Sequence, residues 1–164
     1  AVDTLLVPEL ADNGPGSEIL ELARAHGVAL KAVEDEMNLS AGRTVLTVLP
    51  PVGEGEDNER GLSVLASADE EDIFITGDMV GATECRLLDI YDLPYIDVLV
   101  AGHHGAATST SEALLRAVRP EAVFISAGAD NRFGHPAAQT LARIRQSGAA
   151  VYRTDLSGTI TIRG

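Results

Sequence analysis

Asp97-Val98-Leu99-Val100-Ala101-Gly102-His103-His104-Gly105 runs an apolar strand straight into two adjacent histidines set between glycines. Half of the chain's four histidines sit here. In α/β proteins chemistry gathers at strand ends, because side chains there are held rigidly yet face a cleft. Imidazole is also the commonest protein metal ligand, and it titrates near neutrality.

Working outward, Thr4–Val7 reads as a short buried strand stopped by Pro8, and Asp12–Gly16 as a turn cluster with Ser17 as a helix cap. Ile19, Leu22, Ala23 and Ala25 then repeat at helical spacing until Gly27. Val28–Val33 and Arg43–Leu49 are further strands, the second broken by Pro50-Pro51. Gly53–Arg60 is a polar loop, and Leu62–Ala66 pairs with Asp72–Thr76 across the acidic turn Ala68–Glu71. Thr83–Leu88 is a short helix leading to the strand Ile96–Ala101. Downstream, the pattern predicts a helix over Ser111–Val118 capped by Ser109 or Ser111, a strand over Ala122–Ser126, and a helix from Pro136 to Gln146. Val151–Thr154 and Thr159–Ile162 are expected to close the chain as a hairpin about Ser157-Gly158. This alternation argues for one α/β domain over residues 1–164. The first strand has nothing before it, and a buried strand needs neighbours, so a segment upstream is expected.

The chain carries 25 acidic against 12 basic residues, a formal charge of −13, with Lys31 as its one lysine. Such a surface repels polyanions unless a partner domain or divalent cations offset it. The single cysteine, Cys85, excludes an intramolecular disulfide and a thiolate cluster, and its place on a helix suggests a small buried residue. No apolar run reaches the roughly 18–20 residues that span a bilayer, so no membrane contact by this chain itself is expected. Dinucleotide, P-loop and nucleophile-elbow motifs are absent from the sequence.

Several residues could carry chemistry. Asp78, in Thr76-Gly77-Asp78 after an apolar strand, is either a turn residue capping local amides or a hard oxygen ligand. If its strand neighbours the one ending at His103-His104, a carboxylate and imidazoles converge on one edge, a set that suits zinc, manganese or iron. Consecutive residues on an extended segment face opposite ways, so one histidine would ligate and the other pack or bind substrate; bracing a loop through a carbonyl is the alternative. His135, before Pro136, is either part of a capping turn or a functional group near a helix mouth. Thr108 and Ser109 offer hydroxyls as helix caps or as donors to phosphate oxygens. His26 belongs with a helix C-terminus, and Arg153-Thr154-Asp155 reads as structural.

Taken in order, Thr-Gly-Asp at 76–78, Gly-His-His-Gly at 102–105, Thr-Ser-Thr-Ser at 108–111, Gly-Ala-Asp-Asn-Arg-Phe-Gly-His-Pro at 128–136, Val-Tyr-Arg-Thr-Asp at 151–155 and the final Gly-Thr-Ile-Thr-Ile form a pattern. It resembles the C-terminal metallo-β-lactamase-like domain of ComEC-type DNA-internalisation competence proteins, over nearly the whole chain and most specifically from Asp57 onward. The resemblance implies an αββα sandwich with a two-metal site, commonly zinc or manganese. It places Asp78 as the metal-bridging aspartate and His104, ahead of His103, as the last metal ligand. His103 or His135 would steady the scissile phosphate. Asn58 falls where broader metallo-β-lactamases carry a further histidine, and Asn131 and His135 match a polar motif near the pocket. Asn58, Thr108, Ser109 and Asn131 are the substrate-binding candidates.

The family's His-x-His-x-Asp-His type motif has no equivalent here, since the one earlier histidine is His26. The expectation is therefore a C-terminal portion of such a domain, lacking its N-terminal metal-motif segment and inactive alone. The parent would be a bacterial plasma-membrane protein of which this is a soluble domain, hydrolysing a phosphodiester strand during DNA uptake. Single- or double-stranded DNA and other competence proteins would be its partners. A small-phosphoester hydrolase on the same fold, which an acidic surface tolerates better, and a non-catalytic interaction module stay open beside it.

Overall fold

A computed structural model describes residues 2–9, 16–53 and 60–162. The first element is a βαβ unit: β1 (Thr4–Val7), α1 (Ser17–Ala25) and β2 (Ala29–Ala32), with β1 and β2 parallel in register from Thr4 against Ala29 to Val7 against Ala32. The larger layer is built around a seven-stranded sheet ordered β3-β4-β5-β6-β7-β8-β9. Of its strands, β3 (Met37–Ala41), β4 (Thr44–Leu49), β5 (Ser63–Ala68) and β6 (Glu71–Ile75) form an antiparallel meander. From β6 onward β7 (Val98–Val100), β8 (Ala122–Ile125) and β9 (Ala150–Arg153) are parallel, each reached through a helix. Those helices are α2 (Gly81–Ile90), α3 (Glu112–Val118) and α4 (Ala138–Ser147). Parallel neighbours require such crossovers, and their carboxyl ends all lie at one edge.

Phe74, Leu99 and Val123 stand side by side in register on β6, β7 and β8, and each is fully buried. They pack with Leu87 of α2, Leu114, Leu115 and Val118 of α3, and Ile144 of α4. Strand alternation sends the intervening residues to the opposite face. There Leu46, Val64, Ile75, Val100, Phe124 and Tyr152 form an apolar surface that is only partly covered among the described residues. Among those residues no helix is long and apolar enough to cross a membrane.

Several expected boundaries moved. The β3 edge strand was not anticipated; only its first residue is even half-buried, so it shows no apolar alternation. Gly16, not Ser17, caps α1, and the buried face of that helix is Leu20 and Ala23 while Ile19 and Leu22 are exposed. Both spacings satisfy helical periodicity, and packing chose between them. Pro136 lies outside α4, which begins at Ala138, because its ring packs against Gly105 and Ala137 N–H is drawn to the Gly105 carbonyl at 2.9 Å.

The closing hairpin does not form. β9 pairs parallel with β8, and Thr159–Ile162 contains no strand. After Arg153 the chain turns into a one-turn helix, α5 (Thr154–Ser157). Thr154 pins that turn by accepting from Ala127 N–H at 2.8 Å and donating to the Ala127 carbonyl at 2.9 Å. Arg153 grips Asp155 with two guanidinium nitrogens. That hydrogen-bonded grip holds the Asp155 carboxyl below its ordinary value of 3.8. A depressed carboxylate stabilises the fold above its unfolded pKa and loses that contribution as pH falls through the folded value. Asp155→Asn should therefore melt at lower temperature than the parent chain at pH 6, with the gap closing as pH falls through the lowered folded pKa, as followed by circular dichroism.

Candidate functional site

Three loops meet at the carboxyl ends of β6, β7 and β8. The first is Thr76–Val80. Thr76 is buried, Gly77 takes a left-handed conformation at φ 65°, and Asp78 is half-buried beside them. The second loop follows β7, and His103 N–H donates to the Gly77 carbonyl at 3.1 Å, tying the histidine pair to the aspartate's loop. Gly102 is needed because a Cβ there would sit 3.1 Å from the Thr76 hydroxyl, and Gly105 because a Cβ would press 2.8 Å from Pro136.

His103 and His104 are not extended. Both are left-handed, at φ 48° and 56°, inside a tight 3-10 turn over Gly102–Gly105. The strand alternation expected to point them apart therefore does not operate; their rings lie 6.4 Å apart at 69°. Left-handed non-glycine residues cost about 1–2 kcal/mol each, so the surroundings must hold them. His104 is exposed, and its Nδ1 lies 2.7 Å from the Ser126 carbonyl. A carbonyl only accepts, so Nδ1 carries the proton, and in the neutral imidazole Nε2 keeps its lone pair. His103 is half-buried with its ring 5.7 Å from that of His135. The Nδ1 atoms of His103 and His135 are buried without a hydrogen-bond partner among the described residues.

The third loop, 126–136, encloses a cavity of about 250 Å³ with His104, lined also by Ala127, Asn131, Phe133 and His135. Asn131 lines it but its amide is spent on the loop: Nδ2 donates to the carbonyls of Gly128 at 2.8 Å and His135 at 2.6 Å, and Oδ1 accepts His135 N–H at 2.9 Å. It has no donor left for a substrate. Thr108 is exposed but does not line the cavity, and Ser109 is fully buried, with no surface to present. Ser111, not Ser109, caps α3, accepting Leu114 N–H at 3.2 Å. Asn58 lies outside the described residues. A larger cavity of about 570 Å³ between β1, α1 and Pro50-Pro51 is lined by none of the residues named for chemistry.

Two residues without an assigned role hold the site together. Glu84 of α2 is fully buried, and its carboxylate accepts Thr110 N–H at 2.6 Å and Ser111 N–H at 2.7 Å. Turning Glu84 inward leaves Cys85, a helical step further on, exposed rather than buried. Arg143 of α4 donates to the carbonyls of Ala107 at 2.9 Å, Ser109 at 2.7 Å and Thr110 at 3.2 Å. The signal for Glu84 was present: it shares a helix face with the buried Thr83 and Leu87.

Metal binding needs more donors than converge here. Asp78 and the Nε2 of His104 are plausible oxygen and nitrogen donors in chemistry. Yet among the described residues no group of three or more His, Cys, Asp or Glu side chains could hold a metal ion. A closed zinc or manganese site takes four or more ligands, and a catalytic zinc at least three from protein. The described residues do not fit the two-metal centre.

No family model matches the chain. Among solved structures, the fold resembles that of CmlA, a diiron β-hydroxylase from Streptomyces venezuelae, with a TM-score of 0.61 at 18% identity over 90% of this chain and 38% of that one. The architecture, a central mixed sheet with flanking helices, is that of the metallo-β-lactamase-like fold. In sequence the chain is 30% identical over 165 residues to ComE operon protein 3 of Bacillus subtilis (strain 168), covering 99% of this chain and 21% of that protein. It is also 37% identical over 106 residues to competence protein ComA of Neisseria gonorrhoeae, covering 64% of this chain and 15% of that protein. The chain thus spans about a fifth or less of the curated relatives it matches. By sequence it is homologous to part of these competence proteins, and its own fold is metallo-β-lactamase-like.

Glu84→Ala would strand two buried amides and should lower stability by about 3 kcal/mol in urea unfolding, with Glu84→Gln recovering part of the loss. After dialysis against zinc or manganese, this chain should retain less than about half an equivalent by elemental analysis, unchanged by Asp78→Asn.

Proposed function

We propose that this chain supplies one wall of a phosphodiester hydrolase site in a protein that takes up DNA. The observation that carries the reading is the His104 Nδ1 contact with the Ser126 carbonyl at 2.7 Å. It fixes the tautomer and leaves Nε2 as a free donor at the cavity shared with Asn131 and His135. Asp78 follows Gly77, whose carbonyl accepts His103 N–H, so its carboxylate belongs to the loop tied to the histidine pair. The names of the homologous proteins support a role in competence.

In this reading His103 and His135 serve the substrate. Their rings lie 5.7 Å apart, His135 lining the cavity and His103 behind it, so imidazole N–H groups there can donate to phosphate oxygens. Asp78 and His104 are the ligand candidates, with zinc and manganese the metals to offer. Asn131 acts through the backbone, by closing the loop that carries His135. The chain's charge of −13 opposes a polyanion, so cations or neighbouring protein must screen the approach of a DNA strand.

The incomplete donor set favours a second reading for the chain by itself, a non-catalytic interaction module. A nuclease assay on end-labelled strands, with manganese or zinc, separates the two. This chain alone should leave the strand intact. A longer polypeptide containing it should cleave, and His104→Ala or Asp78→Ala there should reduce cleavage by about 100-fold. Full activity in both variants would overturn the assignment.

A further inference from the structure

The cavity beside His104 has an aromatic rim that the hydrolytic reading leaves unused. Phe133 lines that cavity with 68% of its surface exposed. Nothing among the described residues buries it, although its loop is closed firmly by the Asn131 amide. Its ring lies nearly parallel to that of His135, at 17° with centroids 6.0 Å apart. The Arg132 guanidinium sits over the Phe133 ring, 5.1 Å from its centroid. One small cavity is therefore bordered by a flat apolar face, Phe133, and two imidazoles, His104 and His135, with the Arg132 cation over the Phe133 ring.

We propose that Phe133 is a base-stacking platform, which makes the site selective for an unpaired nucleobase and hence for single-stranded nucleic acid. This rests on the phosphodiester reading above. Every base has a π-face, and aromatic side chains in single-strand sites use it without reading sequence. In a duplex those faces are covered by neighbouring base pairs, so only an unpaired or terminal base can settle on the ring. Arg132, over the ring, adds positive charge next to the stacking platform, in a chain whose net charge is −13. The cavity's volume of about 250 Å³ suits one small planar group rather than a stacked pair.

The test is binding by the chain as it stands, read from the anisotropy of labelled strands at low ionic strength. The probes are an oligothymidylate, an abasic strand of equal length and a blunt duplex. Phe133→Ala should weaken oligothymidylate about 10-fold, while Phe133→Tyr retains it. The abasic strand and the duplex should bind less well and ignore both substitutions. Because Phe133 is exposed, both variants should keep the parent's thermal transition. Oligothymidylate and abasic strand binding equally, with Phe133→Ala unchanged, would overturn the stacking role and leave the phosphodiester reading standing. No binding of any strand by the parent chain would count against both.

Discussion

The loop between residues 106 and 111 is held by two opposite charges that divide its backbone between them. The Glu84 carboxylate takes the amides of Thr110 and Ser111, and the Arg143 guanidinium takes the carbonyls of Ala107, Ser109 and Thr110. Backbone groups buried in an irregular segment must find partners, because an unpaired one costs as much as a lost hydrogen bond. Here a carboxylate can only accept and a guanidinium can only donate, so the pair satisfies both kinds of group. Thr140 adds its hydroxyl to the Ala106 carbonyl at 2.7 Å, and Thr110 accepts Gly102 N–H at 3.2 Å. The strained turn at His103 and His104 is framed by these contacts.

That frame explains why the candidate residues gather where they do. Parallel strands β6, β7 and β8 end at one edge, and each hands over to an irregular loop before its helix. The loops are joined laterally by backbone hydrogen bonds: His103 to Gly77, Gly81 to Thr108 at 2.7 Å, and Ala137 to Gly105. Asp78, the histidine pair and His135 are thereby held by one connected scaffold. The opposite, apolar face of the sheet takes no part in it.

Much of this was legible in the residues. Asp78, His103, His104 and His135 stand out because charged or titratable groups after apolar strands between glycines have few structural uses. The strands of the parallel half, built from Ile73-Phe74-Ile75, Val98-Leu99-Val100 and Val123-Phe124-Ile125, were equally plain, since short continuous apolar runs bounded by turn signals read as strands. Less visible were the edge strand β3, whose residues face solvent, and the end of the chain. There β9 pairs with a strand more than twenty residues earlier and not with its neighbour in sequence. Local spacing carries no information about such a partner.

The sequence by itself determined the fold class and the strand ends that would bear the chemistry, because apolar runs and glycine-bounded polar residues act through local rules. Only the tertiary structure decided what each polar group does there. It turned the histidine pair into a left-handed turn, gave His104 its tautomer through Ser126, spent Asn131 on its own loop, buried Ser109, and set Glu84 and Arg143 to hold the frame. Those outcomes depend on which backbone groups are left without partners after the strands have paired, and that is a property of the assembled chain.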